Sequence, residues 1–255
     1  GLTPFTNWLF TEVAGTTWRL RPGSCRRCLL RTWKPCSSSI AAIVLNPDPL
    51  QPLHRDSWLL AVSKPAGLLS QPGLGPDQQD SLITRLRAGD GDLHLVHRLD
   101  RDTSGVLLLA RGLESLRRCS ALFAQRRVNK LYLAEIDGEL IGRGCLDAPL
   151  ARLQRQPPRY GRHPEGRRSS TLWRVRRARH GRTQLWLRPL TGRSHQLRAH
   201  LADIGHPIVG DPIYGGSSAR RLHLHALALA FRHPFSGVRL RLRSPSPLPW
   251  PSHRI

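Results

Sequence analysis

His97-Arg98-Leu99-Asp100-Arg101-Asp102-Thr103-Ser104-Gly105, running directly into Val106-Leu107-Leu108-Leu109-Ala110, is the stretch on which the reading of this chain turns. Five consecutive aliphatic residues make a buried strand, and Leu93 to His97 alternates apolar with polar residues on the other side. The polar segment is therefore a compact turn between two strands. It gathers two acids and two arginines at the mouth of a core. A carboxylate held there near cationic groups stays ionised and has the character of a nucleophile or base. The same spacing suits a hairpin turn whose Asp and Thr only satisfy backbone N–H groups, and the turn alone does not decide between the two.

Outward from this turn the punctuation is regular. Trp58 to Val62 reads as a short strand ending in the turn Lys64-Pro65-Ala66-Gly67, Gln71 to Asp80 as a loop, and Ser81 to Arg87 as a short helix capped by Asp80. Leu113 to Arg127 has helical spacing through Leu116, Cys119, Leu122 and Phe123, and Lys130 to Asp137 follows as a strand. Residues 151–182 carry eleven arginines against the single acid Glu165, with Gln156-Pro157-Pro158 and Gly161 as breakers, so a basic, mobile segment is expected. Strands are predicted at Thr183 to Leu187, Leu222 to Phe231 and Val238 to Leu242, and a helix over Ser194 to Ile204 that stops at Gly205 with Pro207 just beyond. The predicted class is α+β, with a mixed, mainly antiparallel central sheet flanked by helices and loops, and no repeat of 20–50 residues.

At 255 residues, with 39% hydrophobic and 22% charged positions, the chain can bury a core without disulfides. Its longest aliphatic runs fall far short of the roughly 20 apolar residues that a membrane helix needs. The charge is the outlying property: 40 Lys plus Arg against 17 Asp plus Glu give +23, and only Lys34, Lys64 and Lys130 are lysines. Such a field attracts polyanions, and arginine forks suit phosphates and base stacking, so nucleic acid is the expected partner. Cys25, Cys28, Cys36, Cys119 and Cys145 form no paired framework, which fits a reducing compartment. Cys25-x-x-Cys28 with Cys36 has no fourth ligand before His54; His195 and His200 are separated on their helix; His223 and His225 lack a third ligand. No metal is expected. Residues 1–50, with Glu12 the only acid in the first 46 and a Ser37-Ser38-Ser39 run, are expected to be a poorly ordered or leader-like extension, with Asn46 to Pro52 as linker and residues 51–248 as one catalytic domain.

A second constellation is Thr191-Gly192-Arg193-Ser194-His195-Gln196-Leu197-Arg198-Ala199-His200-Leu201. Leu197 and Leu201 share a core stripe at i, i+4, while Arg198 projects about 100° away, toward a cleft or a solvated basic face. With these two segments, the chain holds Val62-Ser63-Lys64-Pro65-Ala66-Gly67-Leu68, Lys130-Leu131-Tyr132-Leu133-Ala134, Gly205-His206-Pro207-Ile208-Val209-Gly210-Asp211, Tyr214-Gly215 and Arg221-Leu222-His223-Leu224-His225-Ala226, in that order. Taken together over residues 57 to 243, they resemble the motifs of the RluA family of RNA pseudouridine synthases. Ser63 stands where that family usually has Asn, and residues 1–50 do not look like the S4 domain that precedes many relatives.

The resemblance implies a pseudouridine synthase fold and an isomerase acting on rRNA, tRNA or both, with no cofactor. It matches Asp100 to the catalytic aspartate and Arg98 to the arginine that takes the place of a flipped nucleotide. Tyr132 matches the tyrosine that stacks on the target base, and Arg198 the arginine paired with the aspartate. Leu197 is expected to help close over the uracil. The charge reading adds Arg152, Arg155, Arg159, Arg162, Arg167 and Arg168 as candidates for gripping the RNA backbone. The expected protein is a monomer without a required protein partner or membrane contact, cytoplasmic, or organellar if residues 1–46 are a transit peptide. The competing reading is a non-catalytic basic RNA-binding or ribosome-assembly protein on the same fold. A nuclease would need a carboxylate cluster or a histidine pair that the sequence lacks.

Overall fold

A computed structural model describes residues 52–248. The expected extension over 1–50, Cys25, Cys28, Cys36 and all of the linker except Pro52 lie outside the described residues. In chain order the elements are β1 (Pro52–Arg55), β2 (Leu59–Lys64), α1 (Leu82–Arg87), β3 (Leu93–Leu95), β4 (Ser104–Arg111), α2 (Leu113–Ala124), β5 (Asn129–Asp137), β6 (Arg143–Asp147), β7 (Leu150–Gln154), β8 (Arg159–Arg162), β9 (Ser170–Arg179), β10 (Arg182–Pro189), α3 (Gln196–Asp203), β11 (Leu224–Arg232) and β12 (Arg239–Arg243). Ten strands form one sheet in the order β1-β2-β4-β11-β5-β10-β9-β6, with β3 added to β4 and β12 to β11, and β7-β8 make a separate ribbon. None of the described helices is long and apolar enough to cross a membrane.

The aliphatic run is the middle of this sheet. Successive side chains on a strand point to opposite faces, so Leu107 and Leu109 pack with Leu60 and Val62 of β2 and with Leu82 and Ile83 of α1. Val106 and Leu108 face the other way, against Leu59, Ala61 and Cys119 of α2. Each such side chain contributes roughly 1.5–3 kcal/mol by burial, so the register of β4 is firmly set, and with it the position of the turn that precedes it. A third cluster joins β5 and β10 (Ala134, Ile136, Leu185, Leu187) to Leu197 and Leu201 of α3.

The mixed sheet contains one parallel contact, between Ser104-Gly105 of β4 and His225-Ala226 of β11. It lies where the polar turn enters β4. Gly105 has φ +118°, and a Cβ there would run into the backbone of Ala226, so only glycine lets the two strands meet.

Two local readings are corrected. The N-cap of α1 is Ser81, whose hydroxyl accepts from the Thr84 N–H at 3.3 Å, because its extended backbone points Oγ at the first turn. Asp80, which precedes the helix, instead pairs with the Arg85 side chain of α1. Residues 151–182 are also largely strand: β7 and β8 pair antiparallel, and β9 pairs along its length with β10 and over Ser170 to Arg174 with β6. In β9, Trp173 and Val175 alternate with arginines and pack on the third cluster. The period of two is present, but arginine stems hide it, since they lie along apolar surface while their heads stay in water.

Candidate active site

The turn carrying Asp100 is clamped from beneath. Lys64, fully buried at the end of β2, donates its three N–H bonds to the carbonyls of Pro65, Leu68 and Arg101 at 2.8, 2.7 and 2.8 Å. Burial pushes its ammonium down to about 8, against the opposing pull of Asp102 and Asp100. Ser70 donates to the Leu99 carbonyl at 2.8 Å and accepts from the Leu99 N–H at 3.1 Å. With residues 99 and 101 both held, Asp100 between them has little freedom of backbone, and its side chain stands at the mouth of a cleft of about 240 Å³.

His97, at the start of the same turn, serves the scaffold. Its Nε2 accepts the Leu108 N–H at 3.1 Å and its ring stacks on Phe123 at 4.8 Å. Burial pushes it down to about 3, so it is a neutral acceptor. His225, brought to about 4 by burial, takes the Ser104 hydroxyl at 2.8 Å. His200 sits between Ser169 and Thr171 at 3.0 Å from each hydroxyl, and His223 pairs with Glu135 at 2.7 Å. Of the histidines weighed as metal ligands, His200, His223 and His225 are thus occupied in packing the sheet and α3.

Asp100, Arg98, Tyr132, Leu197 and Arg198 all line the one cleft. Arg98 is exposed at its rim, Tyr132 half-buried on β5, and Leu197 buried on α3. Burial and the neighbouring charge of Asp100 push the Tyr132 hydroxyl well above the ordinary tyrosine range, so the ring is a neutral surface. Asp102, two residues from Asp100, is not among the lining residues.

Arg198 has a partner that sequence reasoning does not assign. Its Nε and Nη2 donate to Asp211 Oδ2 and Oδ1 at 2.7 and 2.8 Å, a forked pair, while Nη1 reaches Asp100 Oδ2 at 3.7 Å. The side-chain exposures are 3% for Arg198, 0% for Asp211 and 31% for Asp100, so the first two are locked in the wall and the third is open to the cleft. Asp211 is held by the N–H groups of Ile213 and Tyr214 at 3.0 and 3.2 Å. The sequence carries one signal for it: Asp211 is the only acid after Asp203, and a lone carboxylate among so many arginines needs a reason.

The loop before α3 is tied by Gln196. Its Oε1 accepts from Thr191 Oγ1 and the Arg193 N–H at 2.7 and 3.0 Å, while its Nε2 donates to the Ser170 carbonyl and Thr171 Oγ1, each at 3.0 Å. Lys130 also faces the cleft, donating to the Thr191 carbonyl at 2.8 Å, and burial pushes it down to about 8. The six arginines expected to meet RNA, Arg152, Arg155, Arg159, Arg162, Arg167 and Arg168, all lie on the β7–β8 ribbon or on the segment leading into β9, and all six are exposed. They are not cleft residues.

A family model described as RNA pseudouridylate synthase matches residues 58–203. The chain is 38% identical over 192 residues to the dual-specificity RNA pseudouridine synthase RluA of Yersinia pestis, covering 72% of this chain and 93% of that protein. It is 38% identical over 212 residues to the ribosomal large subunit pseudouridine synthase D of Xanthomonas campestris pv. campestris, covering 74% of this chain but 63% of that longer protein. The structure is similar to that of human RNA pseudouridylate synthase domain containing 1, with a TM-score of 0.68 and 27% identity over 80% of this chain and 87% of the other.

Proposed function

This chain belongs to the RNA pseudouridylate synthase family and is an isomerase of uridine in RNA; we propose that Asp100 carries out the isomerisation on a uridine flipped out of a folded rRNA or tRNA, within a catalytic domain spanning residues 51–248. The observation that carries the reading is the open Asp100 carboxylate on a doubly clamped turn, 3.7 Å from a guanidinium whose own position is locked by Asp211. Pseudouridine formation breaks N1–C1′, turns the retained uracil and joins C5 to C1′; C5 loses a proton and N1 gains one. The change is isoelectronic and adds no external group, so the reaction itself calls for no cofactor.

An ordinary glycosidase uses a second carboxylate to direct water. Here Asp102 is not a cleft residue and Asp211 is engaged by Arg198 and two backbone N–H groups. One free carboxylate fits transfer of the sugar bond within the substrate better than hydrolysis. Tyr132 offers a flat neutral face for the uracil and Leu197 an apolar wall, and both limit water at the reacting carbon.

Flipping a nucleotide costs a few kcal/mol, which contacts elsewhere must offset. Arg98 at the rim takes the space that the nucleotide leaves. The arginines of the β7–β8 ribbon and its continuation, Arg152, Arg155, Arg159, Arg162, Arg167 and Arg168, hold the RNA backbone. The protein works as a monomer in the cytoplasm; the thiols of Cys119 and Cys145, neither in a disulfide, agree with a reducing compartment.

Carbodiimide mapping of pseudouridines in total RNA, from cells with and without the protein, tests activity and identifies the site. On that RNA, labelled with [5-³H]uridine, Asp100→Asn is expected to lower tritium release by at least about 10³-fold with RNA affinity retained. Substantial turnover by the variant would remove Asp100 from the role.

A further inference from the structure

Among the described residues three non-glycines adopt positive φ: Arg126 at 57°, His180 at 53° and His195 at 51°. Arg126 follows the end of α2, and His180 sits in the tight turn between β9 and β10. His195 alone of the three lines the cleft, and it is the residue immediately before α3. A left-handed backbone outside glycine is retained where the surroundings enforce it, and at a cleft that is reason to ask what the side chain does.

The imidazole is held from the side away from the cleft. The Tyr160 N–H of β8 donates to Tyr214 Oη at 2.9 Å, and the same oxygen lies 3.2 Å from His195 Nδ1. Tyr160 and Tyr214 also press edgewise on the ring, with centroids 5.2 and 5.8 Å away. Having accepted one hydrogen bond, the Tyr214 hydroxyl still has a proton to place, and Nδ1 is its acceptor among the described residues. With the Tyr214 proton given to Nδ1, the neutral ring carries its N–H at Nε2. Nε2 lies 3.5 Å from Arg198 Nη1. Two donors side by side gain little from each other; an oxygen placed between them accepts from both.

We propose that His195 Nε2–H and Arg198 Nη1–H together hold one carbonyl oxygen of the flipped uracil, so that His195 is a substrate-positioning residue of the cleft. When N1–C1′ opens, its electron pair stays with the base and spreads onto the ring carbonyls, so donors at a carbonyl oxygen gain strength as the bond breaks. The contact also turns the uracil edge so that C5 can replace N1 at C1′. The Tyr160 backbone ties this donor to the β7–β8 ribbon, so a base is oriented by an element that the RNA itself grips. The inference rests on the isomerase reading above.

The test compares His195→Leu with His195→Gln in single-turnover tritium release from the mapped [5-³H]uridine RNA. Both variants put a β-carbon on the same left-handed backbone, but only Gln keeps an N–H near the Nε2 position. Leu is expected to slow the step by roughly 10²-fold with RNA affinity within about threefold, and Gln to recover most of the rate. A Leu variant at the wild-type rate would overturn the proposal, as would equal losses in both variants accompanied by weakened RNA binding. Nitrogen-15 NMR of the wild-type histidines decides the tautomer without any variant: Nε2–H at His195 supports the proposal, and Nδ1–H overturns it. No tritium release by the wild-type protein would sink the isomerase reading and this inference together.

Discussion

Arg198 and the arginines of the β7–β8 ribbon are one residue type in two opposite settings. Arg198 is buried in α3, with two of its nitrogens committed to Asp211 and the third turned toward Asp100. Around the ribbon the nearest acids are sparse: Arg162 stands 3.9 Å from Asp203, and Glu165 is the only acid between residues 151 and 182. A guanidinium taken out of water must have its donors satisfied, and what it gains is a fixed direction. A guanidinium left in water keeps its freedom, and what it offers is salt-dependent attraction to phosphate. The chain therefore divides the work of one side chain: geometry is set at the floor of the cleft, affinity on the ribbon. The two meet at α3, where Tyr160 of β8 reaches His195.

The strongest way to break this contrast is to take away the buried partner. Asp211→Ala leaves a buried guanidinium uncompensated, which is expected to cost about 3–5 kcal/mol of stability, read from the urea midpoint. A loss below about 1 kcal/mol would mean that Arg198 is held by something other than its acid.

The second effect is on pH and concerns the other buried cation. Lys64 in the folded chain is brought to about 8 from an ordinary 10.5. Between these values the unfolded chain retains a proton that the folded chain has released. Stability therefore rises as pH climbs from about 8 toward 10.5, by up to about 1.4 kcal/mol per unit for each such group, and is lost as pH falls back through 8. Lys130, also brought to about 8, adds to the same window. Denaturation of Lys64→Met across this range should show about half the rise, and an unchanged slope would contradict the shift.

The smallest effect sharpens the ribbon side. Replacing Arg152, Arg155, Arg167 and Arg168 together with Gln should reduce the dependence of log affinity on log salt by about 0.7 to 0.9 for each phosphate that these arginines neutralise. The single-turnover rate at saturating RNA should stay unchanged. A slower step at saturation would show that these arginines act on the chemistry and not only on capture.

Much of the fold is legible because its signals are local. The Val106–Ala110 run is buried because no other placement of five aliphatic residues is stable in water, and the helix after Leu113 follows from Leu116, Cys119, Leu122 and Phe123. Asp80 reads as a cap because Asp and Ser adjoin and either suits the position; backbone direction chooses Ser81. The strands β7 and β8 escape a reading of the sequence because a ribbon exposed on its faces leaves its evidence in backbone pairing, which side-chain pattern does not record, and β9 escapes it because arginine stems mask its period of two. Lys64 stands within a motif without an evident role, since three carbonyl contacts, one of them to Arg101 far along the chain, have no signature in spacing.

The amino-acid order by itself determined the α+β class, the strong positive charge, the turn that presents Asp100 and the cluster of motifs that point to an RNA isomerase. Tertiary structure alone decided that Arg198 answers first to Asp211, that His195 is oriented by a tyrosine on one side and a ribbon on the other, and that Asp100 is the open carboxylate. Composition and periodicity express what each residue gains by burial, which is a property of neighbours along the chain. Which charge finds which partner depends on distances across the cleft, and those exist only after the sheet has brought positions 100, 132, 198 and 211 together.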